Sequence, residues 1–166
     1  GGQDPGAIGK ISKEKNINLN VALKVGNLIK KNCDDVKLIY TRSKDVFIPL
    51  ARRAEIANNA KADLFISIHT NALANNRTAK GASTWTLGLA KSEANLEVAK
   101  RENAVILYES DYETRYAGFN PNSAESYIIF EFMQDKYMEQ SVHLASLVQK
   151  QFRHTCLLYT SPSPRD

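Results

Sequence analysis

The residue best suited to chemistry in this chain is His69, which comes directly after an apolar segment at residues 63–68. The branched and aromatic side chains of this segment predict a buried β-strand. In open α/β sheets, functional side chains collect at the carboxyl ends of the strands. A neutral imidazole at that edge can bind a metal ion or transfer a proton. The alternative interpretation is a histidine that only packs at a strand end.

Helices and strands that could position His69 alternate along the chain. After a glycine-rich opening loop over residues 1–12, apolar side chains at helical spacing predict four helices, near residues 17–29, 50–60, 91–108 and 123–152. Short apolar or alternating segments predict three strands, at residues 36–40, 63–68 and 81–87. This alternation indicates an α/β fold with a mainly parallel sheet flanked by helices.

Composition limits the classes of protein that need to be considered. The chain has 166 residues, of which 43% are hydrophobic and 24% charged, as is typical of a globular domain. No apolar run approaches the roughly 18 residues that a membrane-spanning helix needs. The net charge of +4 is modest and spread along the chain, so it does not favour nucleic acid as a partner. Cys33 is the one cysteine before residue 156, so no disulfide framework is expected.

Several motifs occur in a fixed order and together carry a family resemblance. They are Gly-Gly-Gln-Asp-Pro-Gly-Ala-Ile-Gly at residues 1–9, the segment 12–19 around Glu14, Thr-Arg at 41–42, the segment 49–58, and Ser-Ile-His-Thr-Asn-Ala at 67–72. In this combination the chain resembles the zinc-dependent N-acetylmuramoyl-L-alanine amidases of bacterial cell-wall turnover. The resemblance runs from Gly1 to about Phe152.

The resemblance implies that Glu14 and His69 are ligands of a Zn²⁺ ion. Taken without it, Glu14 would be interpreted as a carboxylate that stabilises the N-terminus of a helix. Two ligands of one zinc ion lie close together, so we expect the Glu14 carboxylate and the His69 imidazole within about 4 Å of each other. In the family, the third ligand is a histidine directly before the motif that here begins at Gly1.

We therefore expect the chain to be a piece of the amidase domain, with the sheet incomplete. The first strand with its histidine, and the last strand with the family's catalytic glutamate, are expected to lie outside the chain. Residues 156–166 resemble the translation of a sequencing adaptor, which leaves residues 1–155 as a partial catalytic domain. A genuine Ser/Pro linker is the alternative for that segment. Made as written, the chain is expected to hydrolyse no peptidoglycan.

The activity implied is zinc-dependent hydrolysis of the amide bond between N-acetylmuramic acid and the L-alanine of the peptidoglycan stem peptide. Such an enzyme would act in the periplasm or outside the cell. A second hypothesis is a non-catalytic module that binds peptidoglycan, and a third is another zinc hydrolase such as a carboxypeptidase. The sequences that flank the chain in its gene would separate the first two, because an enzyme needs both the histidine and the glutamate.

Other polar residues are expected to have structural roles, except one that has two alternative roles. Asp4 is expected to shape the opening loop, and Arg42 and Arg53 to form ion pairs that are either buried or brace loops. Asn71 could orient substrate or brace its own loop. The remaining histidines, His143 and His154, match no motif and are expected to be solvated.

The segment before the last helix has two interpretations. Residues 126–134 are apolar enough to form a core helix. In some division-associated amidases, a helix at a similar place covers the zinc site until an activator protein displaces it. Residues 109–140 lie in the corresponding stretch, and Glu125 or Glu131 could then face the metal.

Overall fold

The computed structural model describes residues 1–70, 81–86, 100, 104–109, 114 and 137–155. The chain divides into two compact units. The first contains the described residues 1–70 and 105–109, and the second contains residues 81–86, 100, 104, 114 and 137–155. Both predicted metal ligands belong to the first unit.

The described helices agree with the predicted ones where the two overlap. Helix α1 spans Glu14–Asn32, α2 spans Leu50–Asn59, a 3₁₀-helix spans Ala104–Tyr108, and α3 spans Met138–Thr155. The helices predicted near 17–29 and 50–60 are thereby confirmed. Of the two later predictions, residues 91–99, 101–103 and 123–136 lie outside the described residues. Among the helices of the described part, none combines the length and the apolar character needed to cross a membrane.

Helix α1 begins earlier than predicted because the opening loop satisfies its first amide groups. The first N–H groups of a helix have no partner within the helix. Here the N–H of Glu14 donates to the Ala7 carbonyl at 2.9 Å, and that of Lys15 donates to the Pro5 carbonyl at 3.1 Å. The side chain of Lys13, the N-cap residue, makes no capping bond. The loop therefore sets the start of the helix at Glu14.

Helix α2 is closed at both ends by identifiable contacts. At its start, the N–H of Leu50 donates to Oε1 of Glu109 at 2.9 Å, and a carboxylate at a helix N-terminus is favourable. Glu109 itself is only 6% exposed. At the other end, Lys61 adopts a φ of 51°, and its N–H and that of Ala62 return to the carbonyls of Asn58 and Ala57. This is the Schellman arrangement, with lysine at the position that glycine usually takes.

Gly26 lets the segment after α1 pack closely against that helix. It is the buried residue of α1, and a Cβ added to it would lie 2.6 Å from Cδ2 of Leu38 and would also collide with the Tyr40 side chain. The ammonium group of Lys30 lies 5.8 Å from the centroid of the Tyr40 ring. Residues 38–40 thus lie across the helix where it has no side chain.

The predicted strands are not found as strands in the part of the chain that the structure describes. Residues 36–40, 63–68 and 81–86 carry no strand assignment, and the pairing seen among described residues is one isolated bridge between Ile8 and Lys13. The prediction that 63–68 is buried is wrong, because Leu64, Phe65 and Ile66 are 52%, 52% and 58% exposed. Burial of an extended segment requires layers that cover its faces, and these three side chains remain about half exposed. The parallel sheet remains a prediction.

In the second unit, Gln149 of α3 holds the segment 81–86. Its amide nitrogen donates to the Ala82 carbonyl at 2.8 Å, and its Oε1 accepts from the N–H and hydroxyl of Thr84 at 3.0 and 3.1 Å. Alternate residues of this segment are the less exposed ones, as the sequence pattern predicts for an extended chain. Ala145 of α3 is buried.

Candidate metal centre

Glu14 and His69 converge although they lie far apart in the sequence. Glu14 is the first residue of α1, and His69 follows the segment 63–68. The Nδ1 atom of His69 lies 3.4 Å from Oε1 of Glu14. The side chains are 35% and 12% exposed, respectively, so the pair is partly open to solvent. The expected distance of less than about 4 Å is confirmed.

Three donors besides His69 surround the Glu14 carboxylate. Oε2 accepts from the N–H of Ala7 at 2.8 Å. Oε1 accepts from the N–H of Thr70 at 3.0 Å and from the side-chain amide of Asn18 at 3.0 Å. These donors come from the opening loop, from α1 itself and from the residue after His69. Glu14 therefore connects three parts of the chain, which a helix-capping role would not require.

The hydrogen bonds keep Glu14 ionised. Burial makes the largest single contribution and acts to raise the pKa of this carboxyl group. The hydrogen bonds from His69, Ala7, Thr70 and Asn18 together outweigh burial and lower the pKa from 4.5 to about 2. Glu14 is therefore a carboxylate at neutral pH, which is the form that binds a metal ion.

Gly6 makes the close approach of the opening loop to Glu14 possible. Its φ is +64°, in the region that favours glycine, and a Cβ at this position would lie 2.6 Å from Oε2 of Glu14. The Gly6 N–H donates to Oδ1 of Asp4 at 2.9 Å. Asp4 thus shapes the loop, as predicted, and Gly6 leaves room for the carboxylate.

We expect Gly6→Ala to disturb the carboxylate as well as the loop. The left-handed backbone costs an alanine about 1–2 kcal/mol, and the new methyl group must displace Oε2 from the Ala7 N–H. Urea unfolding should show at least this loss of stability, and a zinc titration should show weaker binding. Gly9→Ala is the control, because its Cβ would lie 3.3 Å from the nearest atom and its φ is not positive. Equal behaviour of the two variants would contradict this account of Gly6.

The second ring nitrogen of His69 also has a partner. Its Nε2 atom lies 2.9 Å from the hydroxyl oxygen of Ser67. A hydroxyl group can donate to a bare ring nitrogen or accept from a protonated one, so Ser67 suits either tautomer. Histidines that bind metals commonly hold their other nitrogen in such a hydrogen bond, which fixes the ring. Nδ1 is the ring nitrogen that faces Oε1 of Glu14.

The pair fits a tetrahedral zinc ion. Zn²⁺ binds histidine nitrogen and carboxylate oxygen at about 2.0–2.2 Å, so two ligands of a tetrahedral site lie roughly 3.3–3.5 Å apart. The separation of 3.4 Å between Nδ1 and Oε1 matches that edge length. Within the described residues, no three His, Cys, Asp or Glu side chains form a group that could hold a metal ion. Glu14 and His69 are thus a matched pair of donors, and their role as ligands remains a prediction.

A cluster around Lys15 ties the opening loop to a later segment. The Lys15 ammonium contacts Oδ2 of Asp45 at 2.6 Å and the Gly2 carbonyl at 2.9 Å, while the Gly2 N–H donates to Oδ1 of Asp45 at 2.7 Å. The hydrogen bond from Lys15 is the main reason why the pKa of Asp45 is lowered. Arg42 donates to the Lys15 carbonyl at 2.8 Å, and Arg53 donates to the Ile48 carbonyl at 2.9 Å. Arg42 thus contacts a carbonyl group of α1 and Arg53 one of the loop before α2, and the ion pairs expected of them stay a prediction.

The other predicted candidates lie apart from this centre or outside the described residues. His143 and His154 are exposed on α3, as expected. Cys33 is a free, exposed thiol at the C-cap of α1. Asn71, Glu125 and Glu131 lie outside the described residues, as does the segment 156–166.

Sequence reasoning missed the residues that hold the two candidate ligands. Ser67 and Thr70 flank His69, and Asn18 lies one helical turn after Glu14. The spacing of Asn18 was the available signal, because residues four apart on a helix lie on the same face. No local pattern could have shown that Thr70 closes the network from far along the chain.

A carboxylate and an imidazole held side by side next to a glycine-rich loop are typical of metal-dependent hydrolases. Comparison with known sequences gives the family. The chain belongs to the N-acetylmuramoyl-L-alanine amidase family, whose model matches residues 1–162. That match extends past residue 155 into the segment predicted to be foreign, and the adaptor interpretation stays a prediction.

Individual relatives agree with the family. The chain is 34% identical to N-acetylmuramoyl-L-alanine amidase AmiA of Escherichia coli K12 over 156 residues, which cover 92% of this chain and 51% of AmiA. It is 39% identical to AmiC of E. coli O6:H1 over 107 residues, 63% of this chain and 25% of AmiC. It is also 39% identical to the sporulation-specific amidase of Bacillus subtilis over 71 residues, 43% of this chain and 28% of that protein. The chain thus spans about half the length of AmiA and less of the other two.

Proposed function

We propose that the chain is part of a zinc-dependent enzyme that hydrolyses the amide bond between N-acetylmuramic acid and L-alanine in peptidoglycan. Membership of the N-acetylmuramoyl-L-alanine amidase family supports the substrate and the bond. The observation that carries the zinc assignment is the 3.4 Å separation between Nδ1 of His69 and Oε1 of Glu14.

In this proposal Glu14 and His69 hold the zinc ion, and their neighbours orient them. When bound, zinc polarises the scissile carbonyl and lowers the pKa of a water molecule toward 7. Glu14 is ionised in advance by its hydrogen bonds, so binding a cation there requires no proton to leave the carboxyl group. Ser67 fixes the ring of His69 through Nε2, and the Ala7 N–H holds the far oxygen of Glu14.

The fold and the location are proposed on the same basis. We propose an α/β domain with a mainly parallel sheet, supported by the alternation of α1 and α2 with apolar segments. We also propose that the enzyme acts in the periplasm or outside the cell, where peptidoglycan lies, and that an activator protein regulates it.

Digestion of purified peptidoglycan tests the function. The full gene product should release stem peptides that carry a free L-alanine amino group, detected by mass spectrometry. A chelator should stop the release, and added zinc should restore it. Release should be lost in Glu14→Ala and kept in Glu55→Ala, which removes an exposed carboxylate on α2.

The result separates the enzyme from its alternatives. Peptidoglycan that sediments with the protein but stays uncleaved would favour the binding module. Release of a free amino acid from the C-terminus of the stem peptide would favour a carboxypeptidase. Chelator-resistant release of stem peptides would contradict the zinc assignment.

A further inference from the structure

Asn18 links the two sides of the candidate metal centre. Its side-chain nitrogen donates to Oε1 of Glu14 at 3.0 Å, and its side-chain oxygen accepts from the Thr70 hydroxyl at 2.7 Å. Both the nitrogen and the oxygen of the side-chain amide therefore have a partner, and the two partners define the orientation of the amide. The contact with Thr70 reaches the residue directly after His69.

The two oxygens of the Glu14 carboxylate differ in the donors that they meet. A carboxylate offers roughly four lone-pair sites. Oε2 accepts from the N–H of Ala7, whereas Oε1 accepts from Thr70 and Asn18 and also faces Nδ1 of His69. If the Asn18 donor is lost, Oε1 is held toward His69 by fewer contacts, and the carboxylate can rotate away from the imidazole ring.

Helix propensity does not account for an asparagine at this position. Asparagine is a mediocre helix former, because its side chain competes for backbone hydrogen bonds. Asn18 lies in the second turn of α1 and is only partly exposed. Its amide bonds instead to side chains on either side of the candidate site, one turn above Glu14 on the same helix face.

We propose that Asn18 is a positioning residue for metal binding. With Thr70, it holds the Glu14 carboxylate in the orientation in which Oε1 faces Nδ1 of His69. Thr70 in turn orients the amide of Asn18 through its hydroxyl. The inference rests on the proposed zinc function and adds two side chains that do not themselves touch the metal.

Zinc affinity is the test, measured by competition with a chelating dye on the full gene product prepared free of metal. Asn18→Ala should weaken zinc binding by about 10–100-fold, the usual effect of removing a partner of a metal ligand. Asn20→Ala, which removes an exposed asparagine from the same helix, should leave the affinity unchanged. The titrations are run where every metal-free variant is fully folded, so lower stability alone cannot change the affinity.

The role of Thr70 is tested with a matched pair of variants. Thr70→Val removes the hydroxyl at constant shape and should weaken zinc binding, whereas Thr70→Ser retains the hydroxyl and should keep the affinity. In the double variant with Asn18→Ala, the effect of Thr70→Val should largely disappear, because the two side chains act through one contact.

Glu14→Ala distinguishes a failure of the proposed metal site from a failure of the inference about Asn18. If zinc binding survives in Glu14→Ala, the proposed metal site is wrong. If Glu14→Ala loses zinc while Asn18→Ala binds it as tightly as the unaltered protein, the metal site stands and the inference about Asn18 is overturned. Equal weakening by Thr70→Ser and Thr70→Val would also overturn it.

Discussion

Replacing His69 with alanine should remove both zinc binding and amide hydrolysis from the full gene product. The substitution deletes the Nδ1 atom that lies 3.4 Å from Oε1 of Glu14, and one carboxylate cannot hold the ion as a matched pair can. Loss of a partner outside the ligand set costs about 10–100-fold in affinity or activity, so loss of a ligand should exceed about 100-fold. Elemental analysis after dialysis and release of stem peptides measure the two effects.

His143→Ala is the matched control for this experiment. It removes the same side chain from an exposed position on α3, in the other compact unit of the chain. It should retain zinc and activity. Circular dichroism of both variants should match that of the unaltered protein, because His69 is partly exposed and its removal leaves no buried cavity. One zinc ion per chain in His69→Ala would remove His69 from the ligand set.

The second large effect concerns stability at low pH in the zinc-free protein. The pKa of Glu14 is lowered from 4.5 to about 2, so the folded state keeps this group ionised at pH values where the unfolded chain binds a proton. Its contribution to stability is therefore complete above pH 4.5 and is lost as the pH falls toward 2. The full shift corresponds to about 3–4 kcal/mol in the free energy of unfolding, and solvent screening at this partly open site reduces the contribution to about 2–3 kcal/mol.

Urea unfolding at a series of pH values measures this contribution as a difference between variants. Other carboxyl groups titrate in the same range, so the comparison is between the unaltered protein and Glu14→Gln, which cannot ionise. The difference in unfolding free energy should shrink as the pH falls from 4.5 to 2. Glu55→Gln removes a carboxylate that is 52% exposed and should give a nearly constant difference. A constant difference for Glu14→Gln as well would contradict the lowered pKa.

The helices were predictable because their signals are local. The apolar spacing that predicts α1 and α2 is contained within each segment, and both helices form where the spacing indicates. The start of α1 at Glu14 was missed by a few residues, because its first amide groups bond to Ala7 and Pro5 of the preceding loop. Helix ends are set by such contacts, which apolar spacing does not report.

Burial was not predictable in the same way. The run Leu64 to Ile66 is apolar enough for a buried strand, yet about half of the surface of each residue is exposed to solvent. An apolar pattern shows what a segment could bury, and the neighbours decide what is actually covered. Those neighbours are set by the whole fold, which a local pattern does not contain.

The candidate site was predictable only as far as the resemblance reached. The family resemblance paired Glu14 with His69, and the two side chains do meet. It gave no role to Asn18, Ser67 or Thr70, whose importance comes from contacts between distant parts of the chain. Residue type alone makes each of them an ordinary polar residue.

The contact between Glu14 and Thr70 also bears on the order of events during folding. It joins residues separated by 56 positions, so the centre cannot assemble from neighbouring residues as a turn or a helix does. A loop of that length must close first, at an entropic cost that local structure does not repay. Helix α1 can therefore form early with its carboxylate in place, while the nascent chain has no imidazole to set beside it. Under the proposed zinc assignment, a metal ion that arrived before this closure would find one donor, so metal loading would follow the long-range collapse of the chain.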